Sequence, residues 1–228
     1  VVTPAPAAFA IPGDVTTRTG GYIYERRLLE SLRAAGRDVQ HLQIGGSFPD
    51  PTQADMADLI AQLTALDPNC PVILDGFISA TIDTTALSRL AVPTVAMVHH
   101  PLALESGLDP ARRDFLFQIE YDNLALVSHV LVPSPHTAMT LTTRYGVAPE
   151  RITVARPGTD RIAFSRAQAD PPLILSVGIQ HPRKGHDILL KALAKLTAYD
   201  WSAIIVGAPQ APDHSAELHS LLFELGLS

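Results

Sequence analysis

The chain carries a single cysteine, Cys70, among 228 residues. No intramolecular disulfide can form, which fits a reducing compartment and leaves Cys70 to serve as a small buried apolar residue. Basic residues are not in excess either: 17 Lys and Arg against 23 Asp and Glu give a net charge of -6. A general nucleic-acid binder would show a basic domain or stripe, so that class is excluded. No apolar run approaches the roughly 18 residues of a membrane span. The opening VVTPAPAAFAIPGD has neither the basic start nor the long apolar stretch of a signal peptide, and a cytoplasmic location is expected. Two nucleotide-binding signatures are missing as well, the G-x-G-x-x-G fingerprint and the G-x-x-x-x-G-K-[ST] P-loop.

Hydrophobic residues make up 46% of the chain and charged residues 18%, without any low-complexity tract. That is the composition of a globular protein able to bury a good core. Nineteen prolines and fourteen glycines punctuate it often, which suits many short strand–loop–helix units. AAFAIP reads as a first strand and GGYIYERRLLESLRAAG as a helix that Thr19 caps and Gly36 ends, with Leu28, Leu29, Leu32 and Ala35 on one face. DVQHLQI follows as a strand, TQADMADLIAQLTAL as a helix, PVILDGF as a buried strand, DTTALSRLA as a short helix and PTVAMVHH as a strand ending in histidines. LDPARRDFLFQIEYDNLALVS starts a helix with Asp109 as cap and Pro110 at its first position. HVLVPS, PHTAMTLTTRYG and RITVARPG then read as strand, helix and strand.

Strands alternating with helices imply a mostly parallel, doubly wound sheet. Beyond Ala163 the cycle restarts, with PPLILSVGI, GHDILLKALAKL, WSAIIVGAP and HSAELHSLLFELGLS as strand, helix, strand and helix. The expected organisation is a Rossmann-like domain over 1–163 and the start of a second, incomplete one over 164–228. Doubly wound domains usually need on the order of 100 to 150 residues.

Open parallel sheets bind ligands at the carboxyl ends of their strands, where the strand order reverses. Three loops occupy such positions. In TRTGGY, Gly20 and Gly21 let backbone amides approach an anion at a helix amino end. In VHHP, His99 and His100 leave a buried strand with side chains diverging to opposite sides; with no third ligand near in sequence, the pair is not expected to bind metal. In HPRKGHD, Arg183 can present a planar fork to a diphosphate, Lys184 a compact charge, and Gly185 a close backbone approach. Basic side chains at a helix amino end oppose the helix dipole unless an anion compensates, which favours a phosphate cradle over a solvated turn.

The ordered set TGGYIYERRLLESLRAAGRDV, PTVAMVHH, VLVPSPHTAMTLTTRYGVAPERITVARPGTD and LILSVGIQHPRKGHDILLKALAKL resembles family 4 glycosyltransferases of the GT-B fold. The resemblance implies a retaining transferase that takes a sugar from a nucleotide-diphosphate donor. It places Gly20 and Gly21 beside the donor phosphate and the acceptor, His99 near the transferred sugar with His100 as its neighbour, and Arg183 and Lys184 on the donor diphosphate. It implies no metal and no cofactor beyond the nucleotide sugar, and a carbohydrate or lipid-linked acceptor. Departures are Ile179 after Gly178, where many relatives have arginine, and Pro157 where asparagine is usual. The family's paired glutamates would fall beyond Ser228. Glu217 and Glu224 do not replace them and read as a solvated helix face.

Under this reading, cations and helix-end amides meet the charge that grows on the departing diphosphate, while His99 orients the sugar rather than attacking it. Two alternatives share the diphosphate grip: a GT-B sugar-nucleotide epimerase, and a non-catalytic sugar-nucleotide-binding subunit. Arg26, Arg27, Arg33 and Arg37 give the first helix a basic side that allows weak peripheral membrane contact, or simple solvation.

Overall fold

The structure is a computed structural model describing residues 6–161, 169–209 and 212–227. The chain divides into two compact units, Val1–Thr159 and Asp160–Ser228. The boundary expected after Ala163 lies outside the described residues.

The first unit holds a six-stranded, wholly parallel sheet in the order β2-β1-β3-β4-β5-β6. Its strands are β1 (Ala7–Pro12), β2 (Val39–Ile44), β3 (Val72–Leu74), β4 (Thr94–Met97), β5 (His129–Val132) and β6 (Ile152–Val154). The helices are α1 (Gly20–Ala34), α2 (Gln53–Thr64), α3 (Gly76–Thr81), α4 (Thr84–Leu87), α5 (Pro110–Leu126) and α6 (Pro135–Tyr145). The chain runs from β1 outward to β2, then returns to the other side of β1 for β3. A right-handed crossover therefore puts α1 on one face of the sheet and the later helices on the opposite face.

The side-chain alternation of β1 serves both faces. Phe9 and Ile11 pack with Leu29 of α1, Val39 and Met97, whereas Ala8 and Ala10 join Leu59, Leu63, Ile78, Leu124 and Leu141 under α2, α3, α5 and α6. All four β1 residues are fully buried, and burying each large one contributes about 1.5–3 kcal/mol. Cys70 belongs to the second of these clusters.

Local chemistry sets the helix ends as expected. Thr19 accepts from the Tyr22 N–H, Asp109 from Arg112 with Pro110 following, and Ser134 from Thr137. Gly146 ends α6 and Gly36 follows α1, both in the left-handed region that favours glycine.

One element differs from the sequence reading. PVILDGF is not a continuous strand: β3 stops at Leu74, and Asp75 turns the chain into α3 by accepting the Phe77 N–H through Oδ1 at 2.8 Å. An aspartate at an N-cap outweighs the strand preference of the apolar run before it. Asn123 of α5, fully buried, ties down the carboxyl end of α3 by donating to Ser79 O and Ile82 O at 3.1 and 3.0 Å.

The second unit pairs β7 (Leu173–Val177) with β8 (Ser202–Val206) in parallel, with α7 (His186–Leu193) and α8 (Pro212–Glu224). Among its described residues, Leu190, Leu193 and Leu218 are the buried apolar side chains, while Leu175 and Val177 of β7 are exposed. After β8 the chain passes so close to β7 that a Cβ on Gly207 would lie 1.7 Å from Gly178 O. Gly207→Ala must push those segments apart. Overpacking of this kind costs about 1–3 kcal/mol, so thermal unfolding should show a clear drop for Gly207→Ala and little change for Gly158→Ala, whose Cβ would meet open space.

Candidate functional site

Reversal of strand order between β1 and β3 opens a crevice at the carboxyl ends of these strands, and β4 ends beside them. Three chain segments deliver side chains there: the first turns of α1, the β3–α3 turn and the end of β4. Glu25, Asp75 and His99 meet, each offering a polar atom within 4.8 Å of the others.

Glu25 projects from the buried face of α1 and is 1% exposed. Its Oε1 lies 3.3 Å from His99 Nε2. Its Oε2 is buried without an N–H or hydroxyl donor. The Asp75 carboxyl, with an oxygen within 4.8 Å of one of Glu25, is the neighbouring group able to supply a proton. Burial holds Asp75 well above the usual carboxylate range, and the adjoining Glu25 adds to the effect. Burial also raises Glu25, partly offset by the hydrogen bond from Asp75. Two carboxyl groups this close and this dry resist ionising together, and the stronger upward push on Asp75 points to it as the holder of the shared proton. Burial lowers His99, against the opposing pull of Asp75, and the imidazole is neutral near pH 7.

Aromatic groups frame the histidine. Tyr24 meets the His99 ring edge-on, with centroids 5.3 Å apart, and its hydroxyl donates to Ala155 O at 2.8 Å. Gly21 faces the same ring, since a Cβ there would lie 3.7 Å from Cδ2 and 3.9 Å from Nε2. As the first two helical residues, Gly20 and Gly21 have amides with no intrahelical acceptor, so their N–H groups and the dipole of a 15-residue helix create a positive end.

His100 does not join this cluster. It is exposed and turns toward Glu105, 3.9 Å away, so the two histidines diverge as the backbone alternation requires. The segment after them is braced from below: the Leu102 N–H donates to the buried Glu120 Oε2 of α5 at 3.2 Å.

In the second unit, Arg183 and Lys184 occupy a single 3-10 turn, Pro182–Lys184, before α7. His181 Nδ1 accepts from the Arg183 N–H at 3.2 Å. The aliphatic stem of Lys184 lies against Gly178 at the end of β7, close enough that a Cβ on Gly178 would touch it at 3.5 Å. Gly185 adopts the left-handed conformation at φ 64° and starts α7. Both cationic side chains are exposed. Glu217 pairs with His214 at 3.4 Å, and both it and Glu224 face solvent.

Residues 58–161 match the profile of Glycosyltransferase Family 4. The chain is similar to the crystal structure of a glycosyltransferase from Rickettsia africae, at 16% identity and a TM-score of 0.63, covering 97% of this chain and 66% of that one. It is similar as well to Anabaena HepE, crystallised with UDP and glucose, at 16% identity and a TM-score of 0.68, covering 97% and 67%. The glycotransferase of kitacinnamycin aligns at 14% identity and a TM-score of 0.53, covering 91% and 67%. The fold is GT-B. The chain spans about two thirds of the length of these GT-B structures. No curated protein sequence matches it significantly.

Within this GT-B chain, sequence reasoning found His99, Gly20 and Gly21, which the fold brings to one crevice. It missed Glu25, Asp75 and Glu120. Glu25 was detectable: it falls on the face shared by Gly21, Leu28, Leu29 and Leu32, where a charged residue signals a buried contact. Asp75 and Glu120 carried no comparable sign. Glu25, Asp75 and His99 are also the set that could hold a cation. Among the described residues, no helix is long and apolar enough to cross a membrane. The basic side of α1 is partly committed, with Arg33 donating to Val39 O at 2.9 and 2.7 Å and Arg26 4.0 Å from Glu30.

Burial lifts the Glu120 carboxyl from 4.5 to about 8. The folded protein thus keeps a proton that the unfolded chain releases, and stability falls as pH rises from 4.5 to about 8. Glu120→Gln retains an acceptor for Leu102 and removes that proton linkage. The variant should match the wild type in thermal unfolding at pH 5 and exceed it at pH 9. Parallel pH dependences for the two proteins would mean that Glu120 does not titrate in this range.

Proposed function

We propose that this chain is part of a glycosyltransferase that moves a sugar from a nucleotide-diphosphate donor to a carbohydrate or lipid-linked acceptor with retention of anomeric configuration. The observation that carries the reading is His99 held beside the glycine-started end of α1 at the strand-order reversal of a GT-B sheet. The family profile over 58–161 supports the same class. HepE, of similar fold, is a structure with UDP and glucose.

In this reaction the bond from the anomeric carbon to the diphosphate breaks, the nucleoside diphosphate leaves with the electron pair, and the acceptor oxygen bonds to that carbon. The transition state is oxocarbenium-like, with negative charge growing on the leaving group. Arg183 and Lys184 are assigned to that diphosphate, with Gly185 permitting close backbone approach. Groups placed in advance where charge develops lower the barrier more than they tighten ground-state binding. The free amides of Gly20 and Gly21 act in the same sense, and His99 orients the sugar through a hydrogen bond. No metal enters these steps.

Calorimetry and thermal shift against UDP-, GDP- and ADP-sugars identify the donor. A charge-assisted hydrogen bond is worth about 1.5–3 kcal/mol, so Lys184→Ala should weaken donor binding about ten- to a hundredfold. Unchanged affinity removes Lys184 from the site. For His99→Ala, turnover should fall strongly while nucleotide affinity changes little, and equal losses would assign His99 a structural role. NMR of the product's anomeric centre tests retention, and an isomerised sugar nucleotide with no acceptor product would replace transfer by epimerisation.

A further inference from the structure

We infer that Glu25 is a positioning residue: it fixes the tautomer and aim of His99, so that the ring presents Nδ1 as a hydrogen-bond acceptor for a sugar hydroxyl. The role of Nδ1 rests on the transferase reading above, whereas the tautomer does not.

A carboxyl group on the buried face of α1 is costly, since a leucine there would pack without desolvating a charge. What offsets the cost is a hydrogen-bond chain of three groups. Asp75, pushed further from ionisation than Glu25, holds the proton, which leaves Glu25 an acceptor. Glu25 Oε1 in turn faces His99 Nε2 at 3.3 Å, and an acceptor at that position requires the ring proton on Nε2. The neutral imidazole must then carry a lone pair on Nδ1.

Nδ1 is the open end of this chain. It makes no hydrogen bond among the described residues and is not one of the buried unpartnered atoms, while the His99 side chain remains 26% exposed. Tyr24 holds the ring from one side, so the ring cannot turn freely about its own axis. The polar groups around the cluster are Glu25 and Tyr24 from α1, Asp75 from the β3–α3 turn, and Tyr22, which itself senses Asp75, Glu25 and Asp14. None of these groups carries a positive charge that would compete with the imidazole for Glu25. An acceptor atom selects ligand groups that donate, which suits a hydroxyl and disfavours a deoxy or fluoro substituent. Carboxylates orient metal-binding histidines in this way, where removing the partner typically costs about 10- to 100-fold in affinity or activity, and a loss of that size is expected here.

The same three side chains could be read as cation ligands. That reading needs Nε2 without its proton and both carboxyls ionised, so it predicts the opposite protonation at His99 Nε2 and at Asp75.

Long-range proton–nitrogen correlation spectra of 15N-labelled full chain decide the question without any sugar nucleotide. With His99→Gln as the assignment control, His99 should appear as the Nε2–H tautomer at pH 7, with a titration midpoint below that of an ordinary histidine. In Glu25→Leu, shown folded by thermal unfolding, the ring should become a mixture of tautomers. Glu25→Met, of similar length but without an acceptor oxygen, serves if the leucine variant fails to fold. An Nδ1–H form in the wild type, an unaltered tautomer in both Glu25 variants, or a shift of the His99 ring nitrogens with millimolar Mg2+ or Zn2+ would each overturn the assignment. In the transferase assay, Glu25→Met should lower kcat about 10- to 100-fold and leave the donor KM within about threefold. Equal losses in kcat and donor affinity overturn the positioning role. A wild-type chain with the expected tautomer but no transfer activity on any sugar nucleotide refutes the function proposed above and leaves the tautomer assignment standing.

Discussion

A parallel sheet whose strand order reverses next to β1 imposes most of what is distinctive about this chain. β1 sends its connection to β2 one way and the chain then returns on its other side, so the loops after β1 and β3 part and leave a crevice between them. Into it come the amino end of α1, with its unsatisfied amides, and the turn capped by Asp75. The end of β4 adds His99. Residues 21, 25, 75 and 99 are far apart along the chain and become neighbours through this one topological feature.

That crevice is dry enough to change the chemistry of what lies in it. Glu25 and Asp75 would be ordinary ionised carboxylates in water. Packed against each other under α1, they share a proton and become a donor–acceptor pair. The pair cannot be assigned to stability, since an apolar side chain would fill the same space at lower cost. Its value lies in the direction it gives to His99. Glu120 shows the same physics one layer further down, where a buried carboxyl holds the backbone of Leu102, three residues past His99. A histidine at a strand end is thus supported from both sides: by a carboxylate on its ring and by a carboxyl group beneath the segment that follows it.

The second unit works by different means. Its basic turn is exposed and lies just before a helix. Placement there comes from backbone geometry: the left-handed Gly185, the bare Gly178 under the stem of Lys184, and Gly207, which lets the chain after β8 approach the end of β7. Exposed cations suit a polyanionic ligand of the kind proposed above, while the neutral hydroxyls of a sugar call for a preset direction such as the one around His99.

The order of strands and helices was legible in the sequence because it depends on local signals. Apolar runs of four to six residues, capping Thr, Asp and Ser, and glycines at helix ends act within a few positions of themselves. The glycine pair, the strand-end histidines and the Arg-Lys loop could be picked out for the same reason. In PVILDGF the apolar run reads as a strand throughout, but the N-cap at Asp75 opens a helix two residues before its end. The Glu25–Asp75–His99 contact had no local trace beyond a glutamate on an apolar helix face. Only tertiary structure could decide it, because hydrogen bonding and protonation in a buried cluster depend on which groups are excluded from water together, and that is set by packing between segments distant in the chain.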